Sequence, residues 1–331
     1  MGESKVKQAV LILDFGGPVD QQAVKPFLIE LFSDKNIIPL PVGRRWVARL
    51  ITALRLKKVK GQYAEIGGGS PLIEQSNQLV ENLKSSFEKS GLFFPIYLAM
   101  RYTPPFIQDI VWQMVREDIR EVVVIPMFPQ FSFVTTGSVF EEFHKAVQRL
   151  APTMQVTYVR QWWEEEEYLF AWSKVIFESL AKFSKEEQGG VNLLFSAHSL
   201  PISLIKKKND PYPTEIRKCA EKIIEKSGLK NPWHLSFQSK IGPVEWLGPS
   251  TDQKVKELGK SGVKNIVFIP ISFLTDHIET LFEIDRLYMP QALKAGVQKG
   301  VRTEALIHSP HLLRAIEKMA LARLLPFGVK S

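Results

Sequence analysis

The sequence predicts an α/β fold of two similar halves, each a parallel sheet flanked by helices, with the active-site cleft between them. Three observations lead there. Short apolar runs end in turn residues, helical spacing separates those runs, and the pattern recurs along the chain. At 331 residues the chain has room for two ordinary domains that each bury a core.

The strand-like runs are Ala9–Leu13, Ile96–Ala99, Val122–Ile125, Val156–Val159, Asn192–Phe195, Leu235–Phe237, Ile266–Ile271 and Glu304–Ile307. Most are continuously apolar rather than alternating, which predicts strands covered on both faces. Between them, Ser70 and Pro71 read as an N-cap and a first-turn proline. Ile73, Val80, Leu83 and Phe87 follow at helical spacing up to Gly91. Pro104 and Pro105 open a second helix with Ile107, Ile110, Val111, Met114 and Val115 on one face. A third runs from Pro213 to Gly228. The stretch 119–126 (IREVVVIP) matches 263–270 (VKNIVFIP) at an offset of 144 residues, and 10–18 resembles 192–201 more loosely. The expected division is an N-terminal domain over 1–165 and a C-terminal domain over 166–331. The last helix, from about His311 to Leu325, is free to pack on either half. In such sheets the ligand lies beyond the carboxyl ends of the strands, so the strand-end residues are the ones to question.

Composition bounds the setting. Hydrophobic residues make up 45% and charged residues 24%, which places the chain among ordinary globular proteins. No apolar stretch approaches the ~20 residues needed to cross a bilayer, and residues 1–6 lead straight into a strand-like run, so no secretory signal is expected. The one cysteine, Cys219, excludes an internal disulfide, a zinc ribbon and a four-cysteine iron–sulfur cluster within this chain. A cytoplasmic location is therefore expected. The net charge of +8 is the unusual figure, compatible with nucleic acid, an anionic membrane or an acidic ligand. Gly16-Gly17 and Gly67–Gly69 fit neither the dinucleotide nor the P-loop pattern, and no G-x-S-x-G occurs, so no nucleotide cofactor is expected.

Two strand ends carry chemistry. In Phe195–Pro201, His198 follows a buried strand at a tight turn, where it can be a general base, a metal ligand or a turn residue. In Phe273–Asp285, a helix starting near Asp276 would align Asp276, Glu279 and Glu283 on one face, with His277 beside them. Asp276 and Glu279 also have the D-x-x-E form of a capping box, which accounts for that pair without function but not for Glu283 or His277. A carboxylate row suits a divalent cation in transit, and a facing histidine suits proton removal. The other strand ends bring Arg101, Tyr102, Thr135–Ser138, Gln238–Pro243 and Trp246, a mixture that fits a flat apolar ligand bearing carboxylates.

At these residues the chain resembles the ferrochelatases. FSAHSLP (195–201), QSKIGPVEWLGPST (238–251) and DHIETLFEID (276–285) carry the likeness, with LDFGGP (13–18), QYAEIGGGSP (62–71) and FPQFSFVTTGS (128–138). QSKIGP and HIET are closer to the protoporphyrin type than to the coproporphyrin type. The resemblance implies two Rossmann-like domains of the class II chelatase kind and insertion of ferrous iron, as substrate, into protoporphyrin IX. It implies His198 and Glu279 as the paired catalytic and metal residues, with Asp276, His277 and Glu283 as the path on the Glu279 side. Tyr63, Ser70, Arg55, Arg101 and Tyr102 match positions that line the porphyrin pocket or hold propionates, and Phe15, Trp246 and Phe273 match aromatic or apolar neighbours. Departures are Phe128 where animal enzymes have tyrosine, Phe15 in place of methionine, and Glu164–Glu167 in place of histidines near the domain junction. The C-terminal cysteine cluster of animal enzymes is missing, so no [2Fe–2S] centre is expected.

The expected mechanism has His198 as base and Asp276, Glu279 and Glu283 as metal path. A non-catalytic tetrapyrrole or metal carrier, and a chelatase acting with Co²⁺ or Ni²⁺ on another tetrapyrrole, are the alternatives. The net charge proves local. Between Leu40 and Lys60 lie Arg44, Arg45, Arg49, Arg55, Lys57, Lys58 and Lys60 with no acidic residue. Trp46, Val47, Leu50, Ile51, Leu54 and Leu56 interleave them, the pattern of a basic amphipathic helix. By resemblance this segment, about 37–60, is a lip over the porphyrin mouth. Propionate capture and peripheral contact with an anionic membrane follow as expectations, and nucleic acid does not.

Overall fold

The structure, a computed structural model, describes residues 7–38, 42–240, 242 and 244–324. Residues 1–6, positions 39–41 of the basic segment, Ile241 and Pro243 of the strand-end motif, and everything after 324 lie outside the described residues. The chain divides into two compact units. Of the described residues, one comprises those within 7–64, 68–162 and 313–324, the other those within 65–67 and 163–312.

The first unit runs β1 (Gln8–Asp14), α1 (Val24–Ser33), α2 (Arg44–Ala64), α3 (Leu72–Lys89), β2 (Ile96–Met100), α4 (Ile107–Arg116), β3 (Glu121–Pro126), α5 (Thr136–Leu150) and β4 (Gln155–Tyr158). The second runs α6 (Glu166–Leu180), α7 (Lys185–Gln188), β5 (Asn192–His198), α8 (Ile202–Lys208), α9 (Tyr212–Ser227), β6 (Trp233–Gln238), α10 (Thr251–Lys260), β7 (Asn265–Ile269), a π-helix (Ile278–Tyr288), α11 (Met289–Lys294) and β8 (Lys299–Arg302). The last helix is α12 (Pro310–Leu324). Both sheets are parallel throughout, in orders β2-β1-β3-β4 and β6-β5-β7-β8. The two orders are the same once β5 is equated with β1. The matching segments at 119–126 and 263–270 become β3 and β7, which hold equivalent places in their sheets. The α/β expectation therefore holds.

Burial explains the continuous apolar runs. Ala9, Leu11 and Leu13 of β1 face a layer formed by Ile107, Ile110, Val111 and Met114 of α4 with Val139, Phe143 and Val147 of α5. Val10 and Ile12 point the other way and are buried too, so β1 has no solvent face. Each such side chain contributes about 1.5–3 kcal/mol when fully buried. In the second unit Leu194, Ile266 and Phe268 pack with Val255 and Leu258 of α10 and with Ile284 and Tyr288 of the π-helix. Those two residues fasten the π-helix to its sheet.

Four local expectations are corrected. The strand at Glu304–Ile307 is instead loop and a short 3₁₀ turn, and the edge strand is Lys299–Arg302. That strand is KGVR, half-exposed, and carries no apolar run to betray it. The second predicted helix begins at Ile107, two residues beyond the prolines, and α3 begins at Leu72 with no side-chain cap, Ser70 Oγ standing 3.4 Å from the Leu72 amide. The helix expected from Asp276 starts at Ile278 and is wound with i→i+5 bonds.

The approach to the basic helix α2 is anchored by two acids. Asp34 is buried and accepts from Tyr102 Oη at 2.8 Å, from Ser138 Oγ and from the Asn36 amide. On α5, Glu141 pairs with Lys35 at 2.5 Å and Lys145 at 2.8 Å, and Asn36 Nδ2 donates to it at 3.1 Å. Partial burial pushes the Glu141 carboxyl up, but those donors outweigh it and bring it from 4.5 to about 2. In that window the unfolded chain binds the extra proton, so the stability from Glu141 is present above 4.5 and is lost as pH falls toward 2. In urea titrations from about pH 5 down to about pH 3, the gap between wild type and Glu141→Gln should shrink as pH falls. A gap independent of pH would contradict this assignment.

Candidate functional site

The carboxyl ends of β5, β6 and β7 meet the start of the π-helix, and there the second unit gathers its ionisable side chains. His198 is the last residue of β5, paired in register with Gln238 at the end of β6. Its main chain is held on both sides: the amide donates to Ser272 Oγ at 2.9 Å, and the carbonyl accepts from Tyr212 Oη at 3.0 Å. Tyr212 is itself buried at the start of α9, where its amide donates to Asp210 Oδ1. The imidazole Nδ1 lies 2.7 Å from the Ser199 carbonyl oxygen. A carbonyl only accepts, so Nδ1 carries a hydrogen, and Nε2 of the neutral ring keeps its lone pair.

Phe273 stands between two imidazoles, with its centroid 6.2 Å from that of His198 and 4.5 Å from that of His277. His277 is the N-cap of the π-helix. Its amide donates to Thr280 Oγ1 and its Nδ1 accepts from the Glu279 amide, so the reciprocal cap is His277–Thr280 and not the Asp276–Glu279 box. The same Nδ1 lies 2.9 Å from Glu279 Oε2, and when the His277 ring is protonated it donates to that carboxylate instead of accepting from the amide.

The π-helix presents Glu279 and Glu283 at neighbouring positions. Burial pushes the Glu279 carboxyl up, but the His277 ring, its hydrogen bond and the His198 charge outweigh it and hold the group well below the usual carboxylate range. Glu283 moves the other way. Burial and the adjacent Glu279 charge raise it, against the pull of Ser239, His198 and Gln238. Its Oε2 accepts from Ser239 Oγ at 2.6 Å, Gln238 Nε2 at 3.1 Å and Tyr288 Oη at 3.2 Å. Gln238 Nε2 also reaches the Glu279 carbonyl at 2.8 Å, which ties the end of β6 to the π-helix. Ser239 adopts a φ of +68°, which turns its hydroxyl back onto Glu283.

The sequence-derived set thus separates. His198, Glu279 and Glu283 act on one another electrostatically, His277 and Phe273 buttress them, and Trp246 is half-buried in the loop that bridges to Pro201. Asp276, expected on the metal path, has its carboxylate 2.9 Å from both Arg302 Nη1 and Thr280 Oγ1. Among the described residues, no three His, Cys, Asp or Glu side chains stand ready as a metal cage. Tyr288, Tyr212, Ser272 and Arg302 escaped sequence reasoning, whereas Ser239 falls within the strand-end segment Gln238–Pro243. Of these, only Tyr212 had a signal, its place at the first turn of a proline-opened helix.

The first unit holds the other candidates. Arg101 Nη2 lies 3.5 Å from both Asp34 and Glu142, and its guanidinium stacks on the Tyr102 ring at 5.1 Å. Tyr102 is 1% exposed and supports that arginine from behind. Phe15 packs on Tyr102 and Phe128 at 5.0 and 4.7 Å. Arg55 sits over the Phe32 ring at 5.7 Å, and Tyr63 is buried near the end of α2. Ser70 lies so close to Gly17 that a Cβ there would stand 2.8 Å from its own, a contact that only glycine permits.

Known proteins supply the family. The ferrochelatase family model matches residues 7–324. A ferrochelatase of Synechococcus elongatus is 39% identical over 314 residues, covering 94% of this chain and 81% of the relative. The chloroplastic ferrochelatase-2 of Arabidopsis thaliana is 38% identical, covering 92% of this chain and 61% of the relative. Among solved structures, SirB from Bacillus subtilis with Fe³⁺ aligns over 95% of this chain and 96% of its own, at a TM-score of 0.56 and 15% identity, a likeness of fold. On its near-complete match to the family model and its identity to these relatives, the chain belongs to the ferrochelatase family.

Proposed function

We propose that the chain inserts ferrous iron into protoporphyrin IX, giving protohaem and releasing two protons. The observation that carries the mechanism is the Nδ1–Ser199 contact, which leaves His198 Nε2 as an acceptor within electrostatic reach of Glu279 and Glu283. Insertion must remove two pyrrole N–H protons and strip water from the incoming dication. Nε2 takes one pyrrole proton, passes it to solvent and then takes the second, a role suited to imidazole at neutral pH. The ionised Glu279 carboxylate replaces water on the iron. Burial and the Glu279 charge raise Glu283, and an arriving dication favours its ionised form, because the positive charge offsets the repulsion between the carboxylates. The pyrrole nitrogens then take the metal, and both porphyrin protons end in solvent.

In this reading Arg101 and Arg55 meet propionates, while Phe15, Tyr63 and Ser70 shape the macrocycle's surroundings. Phe273 and Trp246 supply apolar walls at the metal side. Binding energy from the ring edges can bend the macrocycle and expose nitrogen lone pairs. Asp276 serves as an anchor and His277 as the cap and partner of Glu279. His198→Ala should lower ferrous or zinc insertion by at least about a hundredfold, the size of a general-base contribution, while protoporphyrin still quenches protein fluorescence. Near-normal turnover in that variant would overturn the assignment of the base.

Peripheral contact with an anionic membrane, at its cytoplasmic face, belongs to the same proposal. On α2 the exposed Trp46, Leu50 and Leu54 form a stripe opposite the buried Ala48, Thr52, Val59 and Tyr63, and exposed Val42 precedes it. At about 100° per residue, Arg49, Lys57, Lys58 and Lys60 flank that stripe. Apolar residues between cations suit the boundary of an anionic bilayer. No helix among the described residues is long and apolar enough to cross one. Binding of the full chain to phosphatidylcholine vesicles should rise with added phosphatidylglycerol and fall with salt, and Trp46→Ala with Leu54→Ser should weaken it. Binding indifferent to salt and lipid charge would contradict this.

A further inference from the structure

Arg302 lies outside every motif that marks the site, on the edge strand β8. Its side chain is only 12% exposed and its bonds converge on the segment that carries Glu279 and Glu283. Nε donates to Asp285 Oδ1 at 2.9 Å and Nη2 to Asp285 Oδ2 at 3.1 Å, a two-pronged pairing within the π-helix. Nη1 donates to Asp276 Oδ1 at 2.9 Å and to the Thr303 carbonyl at 3.2 Å. Asp276 Oδ1 also accepts from Thr280 Oγ1, and that hydroxyl oxygen accepts from the His277 amide. One guanidinium therefore grips the chain just before the π-helix and again well along it.

We propose that Arg302 is a positioning residue for metal insertion: by bridging Asp276 and Asp285 it holds 278–288 in its π-helical winding, and so keeps Glu279 and Glu283 side by side. The argument is geometric. A π-helix is rare and needs an outside constraint to persist over an 11-residue run. A two-pronged arginine–carboxylate pair tolerates little change in angle or separation. Rewinding the segment as an α-helix would lengthen it and rotate Asp285 away from Asp276, so both could no longer meet one planar guanidinium. The two aspartates repel one another, and the cation between them turns that repulsion into a fixed spacing. Ile284 and Tyr288 bind the same helix to the sheet on another side, so the winding is held both by packing and by charge. The inference rests on the reading of Glu279 and Glu283 as the metal-handling pair.

The test uses the full chain in four forms: wild type, Arg302→Gln, Arg302→Lys and Asp285→Asn. Three quantities are measured: protoporphyrin Kd by fluorescence quenching, the zinc dependence of single-turnover insertion with porphyrin pre-bound, and Tm. Loss of support behind metal-handling groups costs about tenfold to a hundredfold. Arg302→Gln and Asp285→Asn should each raise the zinc concentration at half-maximal rate by about that factor, with porphyrin Kd unchanged. Arg302→Lys should recover Tm but not the zinc dependence, since it keeps the charge and loses the fork. Asp285→Asn is nearly isosteric and carries the test if Arg302→Gln fails to fold. Variants that lose Tm but keep wild-type zinc dependence would overturn the role of Arg302 while leaving the insertion activity standing. A wild-type chain that inserts neither zinc nor iron would overturn both.

Discussion

Parallel strands all end at the same edge of their sheet, and in the second unit that constraint determines where the chemistry gathers. β5, β6 and β7 deliver His198, Gln238 with Ser239, and the loop from Pro270 to His277 to one line. The strands do not end level. β7 last pairs at Ile269 opposite Phe195, so β5 runs on for three more residues and His198 projects past its neighbour. The loop after β7 fills the space, and Ser272 takes the His198 amide that a longer strand would have bonded. Side-chain orientation follows from the backbone. The bond from Nδ1 to the Ser199 carbonyl leaves Nε2 of the neutral ring as an acceptor.

Charge is divided unequally between the two glutamates, and the division is physical. Side-by-side carboxylates in a partly dry site cannot ionise independently. Glu279, next to two imidazoles, is pulled down, while Glu283, among neutral donors and beside an anion, is pushed up. The two carboxyls thus differ in how readily they ionise, Glu279 the more and Glu283 the less. Holding them so costs desolvation, which three hydrogen bonds to Glu283 and the His277 contact to Glu279 offset.

Much of this was legible in the residues, for definable reasons. The core strands are legible because burial on both faces demands continuous apolar runs, and the two similar halves are legible in the matching segments that become β3 and β7. His198, Glu279 and Glu283 stood out because they fall at strand ends. Features set by tertiary contact stayed hidden. β8 is a half-exposed edge strand without an apolar signature, and the π-helix has the composition of an ordinary amphipathic helix. Asp276 looked like one of three equal carboxylates because its partner, Arg302, is 26 residues away. Nothing local reveals that the Tyr102 hydroxyl donates to Asp34, 68 residues away.

The central claim is that His198 and Glu279 act on one metal-insertion event from a single site. A double-mutant cycle on His198→Ala and Glu279→Gln tests it most directly, with single-turnover insertion into pre-bound protoporphyrin as the readout. If they serve one step, the double variant should be no slower than the worse single variant, within about threefold, because groups that act as a unit lose their function together. Losses that multiply across the two positions would contradict the account and assign the residues to separate steps.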